Sequence, residues 1–134
     1  MQNSEISRIP ISISIEGIEE ARGEFIRFLA PRTIEQLVHL LPLQGRVAIW
    51  KDQYYFGVPV KTGPEKATLE PAEGDIAYWP MGNSVCIFTK RMRPHSPVNR
   101  IGRVFTGLEK FRNVHNGTPI KVERLFGIQA EFVR

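Results

Sequence analysis

The sequence predicts a mainly antiparallel, closed β-barrel of about eight strands, and three observations lead to that fold class. Apolar residues alternate with period two in one short segment after another. No strand–helix–strand repetition runs through the chain, which argues against a parallel sheet. The stretch Gly74 to Lys90 holds two strands with apolar side chains on both faces, which suits a barrel wall better than a wet edge. Left open, so many strands would present long unpaired edges, and closure removes them.

The central hairpin is the most legible element. Ile76-Ala77-Tyr78-Trp79 and Val85-Cys86-Ile87-Phe88 are separated by Pro80-Met81-Gly82-Asn83-Ser84. Proline cannot donate a ladder hydrogen bond, and Gly82 and Asn83 reach positive φ, so the chain turns there. Alternation puts Ala77 and Trp79 on one face, Ile76 and Tyr78 on the other.

From the N-terminus, residues 1–8 are polar and are read as a flexible segment preceding a single domain at 9–134. Ile9, Ile11, Ile13 and Ile15 alternate with serines, the pattern of a strand with one face on a core. Gly17 ends that strand. Residues 18–24 are read as a solvated acidic connection, followed by a strand from Glu24 to Phe28. Thr33 and Gln36 have capping-box spacing, and Ile34, Leu37, Val38 and Leu41 form an apolar stripe, predicting a helix over 33–41 that Pro42 stops. His39 falls off the stripe and is read as a surface residue. Arg46 to Trp50 and Tyr54 to Val60 read as a second hairpin, with Gly57 leaving room for a ligand or another backbone. Residues 61–74, rich in Gly, Pro and charge, are a surface excursion with a brief strand at Ala67-Thr68-Leu69.

Lys90, Arg91, Arg93, Arg100, Arg103 and His95 fall within 90–103 with no acid among them, and Pro94 and Pro97 make its first part an extended basic loop. Arg100 to Phe105 returns to strand, Gly107 to Val114 forms a short helix, Ile120 to Leu125 alternates, and Ile128 to Val133 supplies a closing strand. The two helices cover the barrel ends.

Composition narrows the function classes. The 134 residues carry a net charge of +4 and 24% charged residues, which favours anions mildly without a nucleic-acid signature. No apolar run has membrane-span length. The sequence MQNSEISRIP lacks a basic region followed by an apolar core, so the expected location is the cytoplasm. Cys86, the one cysteine, has no acid or histidine beside it and reads as a buried strand residue rather than a nucleophile. His95 and His115 lack metal-ligand spacing; no metal, cofactor or catalytic residue is predicted.

Gly-Asp-Ile-Ala-Tyr-Trp-Pro at 74–80, Ser-Pro-Val-Asn-Arg-Ile-Gly at 96–102, Tyr-Phe-Gly-Val-Pro-Val at 55–60 and Ala-Pro-Arg-Thr at 30–33 resemble the minimal cyclophilin-like proteins of bacteria and archaea. That resemblance implies a closed eight-stranded barrel with a helix at each end, an interior filled by side chains, and ligands in a groove on the outer wall. Prolyl isomerases of the cyclophilin family carry a Phe-His-Arg strand motif and a Gln-Gly-Gly turn. Neither is present here, so no catalytic residue is carried across.

Aromatic and neighbouring residues able to point outwards are the groove candidates: Tyr55, Phe56, Trp79, Pro80, Met81 and Phe88. Arg91 and Arg93 stand at its rim, because guanidinium forks hold carboxylates or phosphates. The function these features favour is a non-catalytic binding module for a small ligand, anions included, or an extended peptide, as monomer or homodimer without a membrane. The alternative is an enzyme: a divergent prolyl isomerase, or a subunit acting on small amides with a partner subunit. Nucleic-acid binding through 90–103 ranks third.

Overall fold

In the computed structural model the described residues are 7–16 and 18–127. Among these described residues nine strands form a single antiparallel sheet: β1 (Arg8–Ile15), β2 (Ile18–Ile26), β3 (Leu43–Arg46), β4 (Ala48–Trp50), β5 (Gln53–Gly57), β6 (Asp75–Trp79), β7 (Ser84–Phe88), β8 (Asn99–Thr106) and β9 (Pro119–Arg124). Their order across the sheet is β3-β9-β1-β2-β8-β6-β7-β5-β4. The sheet curls until β3 meets β5, where a Cβ on Gly45 would stand 3.0 Å from the Phe56 ring. The barrel is therefore nearly closed by side-chain packing, its two end strands joined through Val47 rather than by a ladder.

The isoleucine stripe of β1 faces the interior, with Ile9, Ile11 and Ile13 fully buried. Phe25, Ile76, Tyr78, Val85, Ile87 and Ile101 join it in one core. The central hairpin pairs Ile76 with Ile87 and Tyr78 with Val85 on this inner face. Tyr78 is wholly buried, and its hydroxyl donates to the Val60 carbonyl at 2.5 Å. A large aromatic can sit there because its one polar atom is satisfied.

Several local expectations are corrected. The acidic 18–24 segment is strand, paired with β1 from Ile18 onwards. Glu24 is buried because it forms an ion pair with Arg8 across the two strands, so its charge could enter a sheet that composition alone read as wet. Residue 17 lies outside the described residues, as do the 128–133 closing strand and most of the 1–8 segment. What was read as one strand from Arg46 is two short ones, β3 and β4. They break at Val47, whose N–H and carbonyl bond instead to Thr118 and Gly117. The expected brief strand at 67–69 is a single bridge between Thr68 and Val98.

The helix α1 (Pro31–His39) is present, with Ile34 and Leu37 buried beneath it. Its N-cap is Ala30, and no Thr33–Gln36 capping box forms. Glu65, from the 61–74 segment, accepts from the backbone N–H of Arg32 and Thr33 instead. Gly107–Val114 holds a 3-10 turn, Leu108–Asn113, with Phe111 buried in the core. No helix among the described residues is long and apolar enough to cross a membrane.

Candidate outer-wall binding site

Strands β5, β7 and β6 lie side by side, so their alternate residues form rows on the outer wall. One row is Gly57, Ser84 and Trp79; the next is Tyr55, Cys86 and Ala77. A small apolar cluster of Ala77, Cys86, Phe88 and Val98 is fully buried on this wall, with Tyr55, Trp79 and Met92 packed against it.

Its cover is the chain's own basic loop. Thr68 and Val98 exchange two backbone hydrogen bonds of 2.9 Å, tying residues 61–74 to the loop. Trp50 stacks on His95 with ring centroids 3.8 Å apart, and Trp79 Nε1 donates to Ser96 Oγ at 2.7 Å. Met92, Pro94 and Val98 turn towards the wall while the charged side chains stay outside. Basic composition read as a charged loop is thus an apolar strap with a charged outer side.

The groove candidates separate into distinct settings. Phe56 faces the barrel interior and is only 2% exposed, so it cannot line an outer groove. The reason is parity: it is the neighbour of Tyr55 on a strand, and neighbours take opposite faces. Phe88 has the outward direction but lies fully buried under the strap. Tyr55, Trp79 and Pro80 are half-buried, and Met81 is 79% exposed. Arg91 and Arg93 line a separate shallow hollow of about 390 Å³ with Leu69, Glu70 and Met92, and Arg91 pairs with Glu70 at 3.3 Å.

What stays accessible on the wall is a shallow apolar platform. Tyr55 and Trp79 meet edge to face, centroids 5.6 Å apart and planes at 89°. Gly82 backs the indole closely, since a Cβ there would come within 2.4 Å of the ring. The indole is therefore fixed by Gly82, Tyr55 and Ser96, and rigid aromatic surface loses little entropy on binding. Around Gly57 no atom lies within 4 Å of where a Cβ would be, so the row Gly57–Ser84–Trp79 is open at its β5 end. The Tyr55 hydroxyl makes no hydrogen bond to another described residue, leaving a polar tip on the same strand face as Gly57.

Cys86 belongs to the buried cluster, and burial pushes its thiol up to about 12, with Gln53 donating to its sulfur at 3.2 Å. A thiol so placed is inert at neutral pH. Among the described residues, no three His, Cys, Asp or Glu side chains gather into a metal-binding group. Sequence reasoning missed Ser84 and Ser96. Ser84 is small enough to make a floor between Gly57 and Trp79, and Ser96 orients the indole. Both roles depend on cross-strand register and loop path, which leave no mark in local sequence.

Comparison with known proteins agrees with the architecture. The chain is similar over 92% of its length, and over all of the other chain, to the solution structure of the hypothetical protein AF2241 from Archaeoglobus fulgidus, with 28% identity and a TM-score of 0.79. It also shares the fold of McbB, whose structure was solved in complex with tryptophan, at 13% identity and a TM-score of 0.71, covering 87% of this chain and 45% of that one. A search of curated proteins returns no match. The family model described as cyclophilin-like matches residues 9–123, and the chain belongs to the cyclophilin-like family.

Proposed function

We propose that this cyclophilin-like barrel is a binding module that takes an extended peptide or a small apolar ligand on its outer wall, between Tyr55, Trp79 and the open position at Gly57. The observation that carries this reading is the pairing of a fixed, half-exposed aromatic corner with empty space over Gly57 and an unbonded Tyr55 hydroxyl. Apolar walls with one or two polar tips are what small binding sites are made of. The exposed Met81 extends the apolar surface beyond Trp79, and its flexible thioether adapts to different partners. Arg91 and Arg93 border a different hollow, so a preference for anions is not part of the proposal.

The test uses thermal shifts of the pure protein against a panel of short peptides and metabolites, because a ligand that binds only the native state raises its melting temperature. At least one hit should lose its shift in Gly57→Leu, whose Cβ would meet no atom within 4 Å, and in Tyr55→Ala. A panel in which no hit loses its shift in these two variants, or which gives no hit, would refute the site.

A further inference from the structure

A cavity of about 520 Å³ lies away from the outer wall, at one mouth of the barrel. In an antiparallel barrel the starts of β5 and β6 and the ends of β7 and β8 meet at the same end, and the cavity's lining comes from those four places. Tyr54 and Leu108 supply its apolar surface, both packed on the main core. Asp52, Glu73 and Glu109 bring three carboxylates to its wall, and Lys90 and Arg112 bring two cations. Among the described residues, none of these five side chains makes an ion pair or a side-chain hydrogen bond, although both signs border one cavity.

The floor is held in place before any ligand arrives. Tyr54 meets Phe111 edge to face, with centroids 5.4 Å apart. The Asp52 carbonyl accepts from both the N–H and the hydroxyl of Thr89, at 3.0 and 3.3 Å, which locks the β4–β5 turn against the end of β7. Burial, and then the nearby Asp52 carboxylate, raise the Tyr54 phenol above its ordinary range, so it keeps its proton at neutral pH and remains a donor.

We propose that this cavity binds a small zwitterion, an α-amino acid with an apolar side chain. Its ammonium takes a carboxylate from among Asp52, Glu73 and Glu109, its carboxylate meets Lys90 or Arg112, and its side chain lies on Tyr54 and Leu108. The reasoning is chemical complementarity. An anion alone would meet more carboxylates than cations, and a cation alone would leave the guanidinium fork of Arg112 without an acceptor. A molecule carrying both charges satisfies both sets, and the volume is within the usual range for small-ligand sites, about 300–1,000 Å³.

The experiment is calorimetric titration and thermal shift of the full chain with the free L-amino acids. For any hit, the corresponding amine and the corresponding carboxylic acid, each lacking one charge, are titrated in parallel. At least one apolar amino acid should bind, with its amine and its acid roughly tenfold weaker or more. Arg112→Gln and Glu109→Gln, both at exposed positions compatible with folding, should each weaken binding by roughly tenfold, whereas Gly57→Leu on the outer wall should leave it unchanged. Absence of binding by every amino acid would overturn the proposal. So would an amine or acid that binds as tightly as the zwitterion, or affinity unmoved by both mouth substitutions.

Discussion

Removing the Glu65 carboxylate should unfasten the helix from the barrel, and the size of the effect follows from its partners. Oε2 accepts from Arg32 N–H at 3.0 Å, and Oε1 accepts from Thr33 N–H at 2.9 Å and Thr33 Oγ1 at 2.8 Å. The side chain is 11% exposed, so these donors have little water to turn to. The network continues: Asn99 Nδ2 donates to Thr33 Oγ1 and to the Gly63 carbonyl, each at 3.1 Å, and Glu65 N–H donates to Asn99 Oδ1 at 2.8 Å. A lost N-cap costs about 1 kcal/mol, and hydrogen bonds to a charged group contribute about 1.5–3 kcal/mol each without adding fully. Glu65→Ala should therefore cost about 2–4 kcal/mol, and Glu65→Gln, which keeps one carbonyl acceptor but no charge, about 1–2 kcal/mol.

The same site predicts a pH dependence. Burial opposes ionisation of Glu65, but the hydrogen bonds from Arg32 and Thr33 and the Arg32 charge outweigh it and hold the carboxyl below its ordinary range. A carboxyl lowered in the folded state binds fewer protons there than in the unfolded chain. Its stabilisation is complete above the unfolded value, about 4.3, and disappears as pH falls through the lowered folded value. Urea unfolding of the wild type, Glu65→Gln and Glu65→Ala at neutral pH and at successively lower pH measures both effects. The gap between the wild type and Glu65→Gln should shrink on acidification. A Glu65→Ala variant within about 0.5 kcal/mol of the wild type at neutral pH would refute this account of the helix, since it is below the loss of even one ordinary cap. A gap independent of pH would refute the role of the charge.

Two further outcomes follow from packing. Gly23 and Gly102 stand where β2 and β8 pair, and a Cβ on either would fall about 2 Å from a carbonyl oxygen of the facing strand. Gly102→Ala should cost more than the roughly 1–3 kcal/mol of ordinary overpacking, because backbone rather than a side chain must move; urea unfolding, with Gly57→Ala as the unobstructed control, checks this. Iodoacetamide should leave Cys86 unmodified in the native protein at mildly alkaline pH and label it fully in urea, as read by intact mass. Rapid labelling of the native protein would contradict the buried thiol.

Much of the barrel was legible in the sequence because strands record their two faces with period two. The four isoleucines of β1, the inner Ile76 and Tyr78 and the outer Ala77 and Trp79 all sit where alternation assigns them. Both buried faces of the central hairpin were visible too, although not what buries the outer one. The strap 89–98 looked like a solvated charge run because composition does not show that Met92, Pro94 and Val98 face one way while Arg91 and Arg93 face the other.

Local sequence by itself determined the strands that alternate cleanly, the turn at Pro80–Ser84, the apolar stripe of α1 and the single cysteine's burial. Each depends on neighbours a few residues apart, whose relation is set by the geometry of one strand or helix. Only the tertiary structure decided the rest: that Glu65 rather than Thr33 caps α1, that Arg8 lets Glu24 enter the sheet, and that the charges at the barrel mouth surround one cavity. Partners separated by 16 or 32 residues meet through register and loop path. Those are fixed by how the whole barrel closes, a property no single segment carries.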